Sequence, residues 1–567
     1  MKKILAILIL VSFAAFAACE GTASHYLPAV VDSGGVLVNV TLQLTPGTGD
    51  IFMSINPKIG LATQESVADA VDYAFNVTEA DQGRCDVKIK AYLPARVGGY
   101  LDGPSGGAAI TLMGISAIEN KPMRGDALIT GTISPDGTIG PVGGLYEKAK
   151  IARENGLAYF ITPMQTLYER ILLRLVQEEG GITVYEARNI TQAAKFMILG
   201  MNISGEKNPP MVEQVNDSLP KYSSDASFKP LADGMTALFN SSAARIDPQL
   251  AKDEKLDAYF SQLNANERTL IGKGYYFSAA NDAFIAYLDS ETIANVDSLD
   301  VASRISSART CLASLPQPRL TTSNYEWAAG EELRRSWAEK KLEDLSSINY
   351  TLKEEKYLAY HEAMYADGWC RIAKLIADNA PSGGAQFPES SLANLSAKYL
   401  AQAQEQAANS SSQDVVWHLE NAEKLHSEGR YAGAILDSVF SIEMSNASAA
   451  FSDNEEAALA QLRSLVQQKR DSLWGDVYAS HGAYLLWQGD NATAFNLVRF
   501  AKGLDNADSE MRAAMPAAPA AQIQPGLIYA AGAIILIAAL AAAAYFYSAR
   551  TGAAQRKPNV FKSRKRQ

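Results

Sequence analysis

The sequence predicts two folded regions of different class and a terminal anchor: a mixed α/β (α+β) domain over residues 26–204, an all-helical domain over 226–507, and a C-terminal transmembrane helix over 526–547. Three observations predict this. Between residues 30 and 200, segments that alternate like strands interleave with segments of helical period. Beyond residue 226, glycine and strand signals thin out, and Ala, Leu, Glu and Gln dominate. Gly526–Tyr547 carries no charge over 22 residues, enough to cross about 30 Å of hydrocarbon.

The elements follow in order. Lys2 and Lys3, the apolar run Ile4–Phe16 and the small residues Ala14–Ala18 read as a targeting leader over residues 1–19. The end of this run also resembles a lipoprotein cleavage site with Cys19 as the lipid acceptor. Val36–Leu44 alternates as a strand, and Pro46-Gly47 marks a turn. Gln64–Phe75 places Val67, Ala70, Val71 and Ala74 on one helical face. Cys85–Leu93 is a second alternating strand, and Ser105–Ile118 has the small apolar composition of a buried helix. Ala127–Ile133 and Ala158–Ile161 are predicted strands, with a helix over Leu145–Asn155 between them. Residues 205–225 are Pro-rich and polar, and are expected to be a linker.

In the helical region, hairpin breaks are expected at Glu428-Gly429-Arg430 and Gly489-Asp490, with weaker hairpins over 274–288 and 360–377. They resemble tetratricopeptide-type hairpins. The loop 380–388 divides the region. Residues 508–525, rich in Ala and Pro, form a stalk, and 548–567 form a basic tail.

Charge sets the orientation. The tail holds Arg550, Arg556, Lys557, Lys562, Arg564, Lys565 and Arg566 and no acid, which places it in the cytoplasm and residues 20–525 outside. Taking those seven cations and the two leader lysines from the net charge of −11 leaves −20 for the exterior part. So acidic a surface argues against nucleic-acid binding. Eleven of 26 asparagines, Asn39 and Asn76 among them, stand in Asn-x-Ser/Thr and are expected glycan acceptors. Of the four cysteines, Cys311 and Cys370 are candidates to pair, and Cys85 is expected to be unpaired and buried.

The chemistry concentrates in Asp102-Gly103-Pro104-Ser105-Gly106-Gly107. A serine between a Gly-Pro turn and two glycines is exposed at the start of a helix, where free N–H groups can stabilise an oxyanion. The alternative is an ordinary helix cap. Serine needs a base. The chain has only five histidines, none between residues 26 and 360, so a Ser-His-Asp triad inside the first domain is unavailable. Lysine serves as base when burial lowers its pKa. Lys148, in the first turn of the helix beginning near Gly144, is the candidate. Its alternative is a solvated helix lysine.

These residues resemble the proteolytic domain of Lon proteases: Ser105 in DGPSGG, Lys148 in GGLYEK, the Thr130-Gly131 pair between them and the upstream segment Gly60–Ser66. The resemblance covers residues 30 to 200. It implies a Ser-Lys dyad in which Ser105 attacks the peptide carbonyl and Lys148 takes its proton. It further implies that Thr130 hydrogen-bonds the lysine amine and that Asp102 stands beside the dyad at a position linked to switching. A turn or capping role for Asp102 is the alternative. Backbone N–H groups around the serine, at Gly103 and Gly106, are the expected oxyanion donors. The resemblance implies polypeptide substrates bound as an added strand, and a homo-oligomer.

The departures are informative. No GxxxxGK[ST] loop is present, Thr132 follows the Thr-Gly pair where Glu is frequent, and Lys90-Ala91-Tyr92-Leu93 replaces histidines found in many members. The overall plan resembles the ATP-independent archaeal serine proteases related to Lon. The expectation is a membrane-anchored, extracytoplasmic serine endopeptidase that acts on unfolded or flexible proteins without metal or cofactor. The alternative is a non-catalytic Lon-like scaffold or peptide-binding protein.

Overall fold

The structure is a computed structural model that describes residues 19–515 apart from 32–33, 55–56, 94–99, 202–207, 224–225, 318, 346–349, 409 and 411. The expected leader up to residue 18, most of the stalk, the transmembrane helix and the basic tail lie outside the described residues. Among the described residues no helix is long and apolar enough to cross a membrane. The chain divides into one unit ending at Met211 and a second beginning at Val212.

The first unit opens with β1 (Thr22–Val31), absent from the sequence expectations because Pro28 interrupts its alternation. β1 pairs antiparallel with β2 (Gly34–Pro46), which pairs antiparallel with β5 (Cys85–Tyr92); β3 (Ile51–Met53) closes the sheet parallel to β5. The short strands β4 (Lys58–Ile59) and β6 (Tyr100–Leu101) pair with each other.

The inner face of this sheet carries Val38, Val40, Leu42, Leu44, Val87 and Ile89, all buried. It packs against α1 (Leu61–Val77) and α2 (Gly107–Glu119) in one core. The predicted stripe Val67, Ala70, Val71 and Ala74 is the buried face of α1. α2 is buried on almost every side. The two helices approach closely because Gly114 leaves room for Ala74, whose Cβ lies 2.7 Å from where a glycine substituent would stand.

A second, all-parallel sheet has the order β11 (Thr183–Glu186), β10 (Tyr159–Thr162), β7 (Ala127–Ile129). It is served by α3 (Leu145–Glu154), α4 (Leu167–Glu178) and α5 (Ile190–Met197). The predicted strand 127–133 is two strands: Thr130-Gly131 breaks it, and β8 (Thr132–Ile133) turns away to pair with β9 (Ile139–Gly140). Gly131 sits at φ +150, a torsion that β-branched strand residues avoid.

The second unit is all-helical from Lys229 to Ala513. Both strong hairpin breaks are where the spacing puts them: helices Gln413–Ser427 and Tyr431–Asp453 flank Gly429, and Leu473–Gln488 and Asn491–Ala513 flank Gly489. The expected hairpin within 274–288 does not form: residues 276–288 lie in one helix, Tyr276–Ala294, and the turn at Gly274 joins it to Leu256–Lys273. The expected hairpin at 360–377 does not form either, because Lys353–Asn379 is one continuous helix with Gly368 packed against Phe284. The last helix runs to Ala513, so residues 508–513 belong to it rather than to the stalk.

Two further expectations need correction. Residues 208–222 of the expected linker are tied down. Arg170 Nη1 donates to the Asn208 carbonyl and Met211 N–H to the Gln165 carbonyl in the first unit. In the second, Asn266 accepts from Val215 N–H and donates to the Glu213 carbonyl, and Leu219 is buried. Cys85 is not free either. It forms a disulfide with Cys19, as Cys311 does with Cys370. A leader removed together with Cys19 would remove that bridge, and lipidation of Cys19 would preclude it.

The Cys19–Cys85 bridge closes a segment of 66 residues. Peptide mapping of the full-length chain without reductant is expected to find both pairs. Cys85→Ala is expected to destabilise the first unit by about 3–4 kcal/mol, read as a lowered thermal midpoint.

Candidate active site

The nucleophile loop begins where the chain needs glycine. Gly103 sits at φ +133 with open space around it, so the requirement there is torsional. Pro104, with its ring-fixed φ and no N–H, then opens a 3₁₀ turn over Pro104–Gly106, and α2 starts only at Gly107. Ser105, half-buried, therefore lies in a tight turn two residues before the α-helix rather than at its predicted N-terminus.

Three successive carbonyls of this loop are tethered. Thr63 Oγ1 donates to Gly103 O (3.1 Å). Ser66 Oγ donates to Pro104 O (3.0 Å), which the Gly107 N–H also reaches. Thr130 Oγ1 (3.2 Å) and the Gly131 N–H (3.0 Å) donate to Ser105 O. A trans peptide unit points its N–H opposite to its C=O, so the Ser105 N–H faces away from Ser66. It has no acceptor among the described residues. The Gly103 N–H, expected as an oxyanion donor, instead donates to Asp102 Oδ1 (3.0 Å). A three-residue 3₁₀ turn also uses the Gly106 N–H internally. The free amide in this conformation is that of Ser105 itself.

Asp102 is exposed and holds the loop to α1. Its Oδ1 also accepts from the Thr63 N–H (3.3 Å), one of the free amides of that helix's first turn, and its Oδ2 accepts from the Tyr100 hydroxyl (3.1 Å). The carboxyl carbon lies 2.1 Å from where a Cβ on Gly60 would stand, which is why the helix opens on glycine. The capping alternative for Asp102 is the one realised here.

Lys148 is 3% exposed, on α3, which packs against β1, β2 and β10. Burial lowers its pKa to about 8, opposed only weakly by Glu147 beside it. Among the described residues no group pairs with its ammonium.

Strand β1 brings the two halves together. Leu27 Cδ2 lies 3.0 Å from where a Cβ on Gly106 would be, and Val30 Cγ2 lies 2.6 Å from the same point on Gly144, which leads into α3. The serine loop and the residue leading into the lysine helix thus both touch β1, at side chains three residues apart that strand alternation points to opposite faces of the sheet. No hydrogen bond joins Ser105 Oγ to Lys148 Nζ in this structure. The Thr130 hydroxyl serves the serine carbonyl and not the lysine amine, contrary to expectation. Thr63 and Ser66 were not expected as part of the site; the available signal was two hydroxyls on the otherwise apolar face of α1. Among the described residues no three His, Cys, Asp or Glu side chains gather as a metal site.

The first unit thus sets a loop serine and a helix that buries a lysine against one strand. Comparison with known proteins gives the family of that domain: residues 26–178 match the model of the Lon protease (S16) C-terminal proteolytic domain. Curated relatives agree. The chain is similar to the archaeal Lon protease of Thermoplasma volcanium, 30% identical over 171 residues, covering 29% of this chain and 25% of that protein. It is also similar to the Lon proteases of Fervidobacterium nodosum, 31% over 132 residues (23% and 16%), and Dictyoglomus thermophilum, 28% over 189 residues (32% and 23%). The chain thus spans about a sixth to a quarter of the length of these relatives. Within the first unit, residues 26–178 thus match a Lon-type proteolytic domain.

The buried amine has a stability signature. With a folded pKa near 8 against 10.5, the unfolded chain binds the extra proton between those values, so the penalty this group imposes on folding shrinks as pH rises through that window. Lys148→Met is expected to stabilise the protein by about 3 kcal/mol at neutral pH. The gain should fade towards pH 10.5 in thermal denaturation scans.

Proposed function

We propose that this chain is a membrane-anchored serine endopeptidase working outside the cytoplasm, with Ser105 as nucleophile and Lys148 as general base. The observation that carries the proposal is the desolvated Lys148 amine on a helix that shares β1 with the serine loop. An amine with a pKa near 8 is partly neutral at physiological pH and accepts a proton. Ser105 Oγ attacks the substrate carbonyl as Lys148 takes the hydroxyl proton. The lysine then returns that proton to the departing amine, and water hydrolyses the acyl-serine by the same route. The Ser105 N–H is available to the oxyanion at once.

The remaining amides become available only if the 3₁₀ turn unwinds and Asp102 releases Gly103. The present conformation therefore fits a resting form, and Asp102 fits the switching position that the family resemblance implies. The Cys311–Cys370 disulfide, which does not depend on residue 19, supports an oxidising compartment, in line with the leader, the 22-residue apolar segment and the glycan acceptors. Outside the cell no ATP is expected, so unfolded or flexible polypeptides are the substrates this reading favours. A homo-oligomer is part of the proposal on the family resemblance alone. The missing Ser105–Lys148 hydrogen bond favours the second reading, a non-catalytic scaffold.

Cleavage of a flexible protein substrate without ATP decides between them. On the peptidase reading kcat/KM rises with pH and levels off above about 8, as the amine becomes neutral. Ser105→Ala and Lys148→Arg each abolish cleavage, and a fluorophosphonate labels Ser105. A folded wild-type sample that neither cleaves nor labels would establish the scaffold.

A further inference from the structure

We propose that Thr63 and Ser66 are positioning residues for the nucleophile: two buried hydroxyls, one helical turn apart on α1, that set the peptide planes leading into Ser105. The proposal rests on the peptidase reading and assigns a task to residues outside the dyad.

Both side chains lie on the buried face of α1 with Val67, Ala70, Val71 and Ala74. A hydroxyl on such a face is costly unless hydrogen-bonded, and its usual local acceptor is the helix carbonyl four residues earlier. Ser66 does not use it, and Thr63, in the first turn, has no helix carbonyl in that place. Thr63 reaches 40 residues along the chain to Gly103 O, and Ser66 reaches 38 to Pro104 O.

The loop needs these bonds for a reason legible in its sequence. The peptide unit between Gly103 and Pro104 has no N–H, so its carbonyl is the only polar handle by which its plane can be fixed, and Thr63 holds it. Gly103, the joint before that plane, supplies little torsional restoring force of its own. The next plane carries the Ser105 N–H. Ser66 and the Gly107 N–H hold its carbonyl, which aims that amide to the opposite side.

Close approach of loop and helix is built in as well. A Cβ on Gly107 would stand 2.9 Å from Ser66 Oγ and 2.9 Å from Ile133 Cγ2. Thr63 also contributes its N–H to Asp102, so one residue grips the loop at both ends of Gly103.

The test measures kcat and KM of the full chain for Thr63→Val, Thr63→Ser and Ser66→Ala beside wild type and Ser105→Ala, with thermal midpoints as the fold check. Thr63→Val keeps the shape and removes the hydroxyl, while Thr63→Ser keeps the hydroxyl. Expected are kcat losses of about ten- to a hundredfold for Thr63→Val and Ser66→Ala, with KM unchanged. Fluorophosphonate labelling of Ser105 should slow in parallel, and Thr63→Ser should retain activity. If Thr63→Val does not fold, Ser66→Ala, which removes one oxygen, carries the test alone. Wild-type kcat in both hydroxyl-free variants, with Ser105→Ala inactive, overturns the positioning role and leaves the dyad standing. A loss in Thr63→Ser equal to that in Thr63→Val overturns it too, since packing would then be the cause. Full activity in Ser105→Ala overturns the dyad and the positioning role together.

Discussion

A trans peptide unit holds its carbonyl and its N–H on opposite sides, and the arrangement around Ser105 follows from that constraint. Once α1 and the Thr130-Gly131 break hold the carbonyls of residues 103 to 105 on one side, the Ser105 amide must face the other. The glycines make this possible. Gly103 supplies a torsion closed to other residues, Gly107 lets the loop lie against Ser66 and Ile133, and Gly131 turns the chain so that its own N–H meets the serine carbonyl. Pro104 removes a donor that would have no place in the turn.

The lysine answers a different requirement. A cation on a helix packed against a sheet and carrying no partner is destabilising, and the cost is relieved by losing the proton. α3 thus gives up some stability at neutral pH to hold that amine. Strand β1 runs past both Gly106 and Gly144, so one strand touches the serine loop and the residue that leads into the lysine helix. The disulfide from Cys19 to Cys85 fixes the start of the same strand's approach to β5. The geometry of the site is therefore anchored from the N-terminal end of the described chain.

The second unit uses other means. Its hairpins close on glycines at positive φ, Gly274, Gly429 and Gly489, and its long central helices bury polar residues in pairs, such as Arg335 with Glu331 and His418 with Asp437. The strap over residues 213–222 belongs to that packing: Asn266 binds it as a strand neighbour would, through one N–H and one carbonyl.

The sequence by itself determined what local chemistry fixes. The period of α1, the alternation of β2 and β5, the glycine breaks of the hairpins and the residue types at Ser105 and Lys148 are all readable in short windows, because side-chain spacing and φ preference act over a few residues. Tertiary structure decided the rest. It recruited β1 despite Pro28, since pairing along ten residues with β2 outweighs one missing donor. It joined Cys85 to Cys19, strapped down a polar segment that looked like a linker, and merged an expected hairpin into one helix. It turned Asp102 into a cap for a helix 39 residues upstream, and gave Thr63 and Ser66 acceptors on a distant loop. Those outcomes depend on which groups meet across the fold, and hydrogen-bond partners forty residues apart leave no period in a sequence.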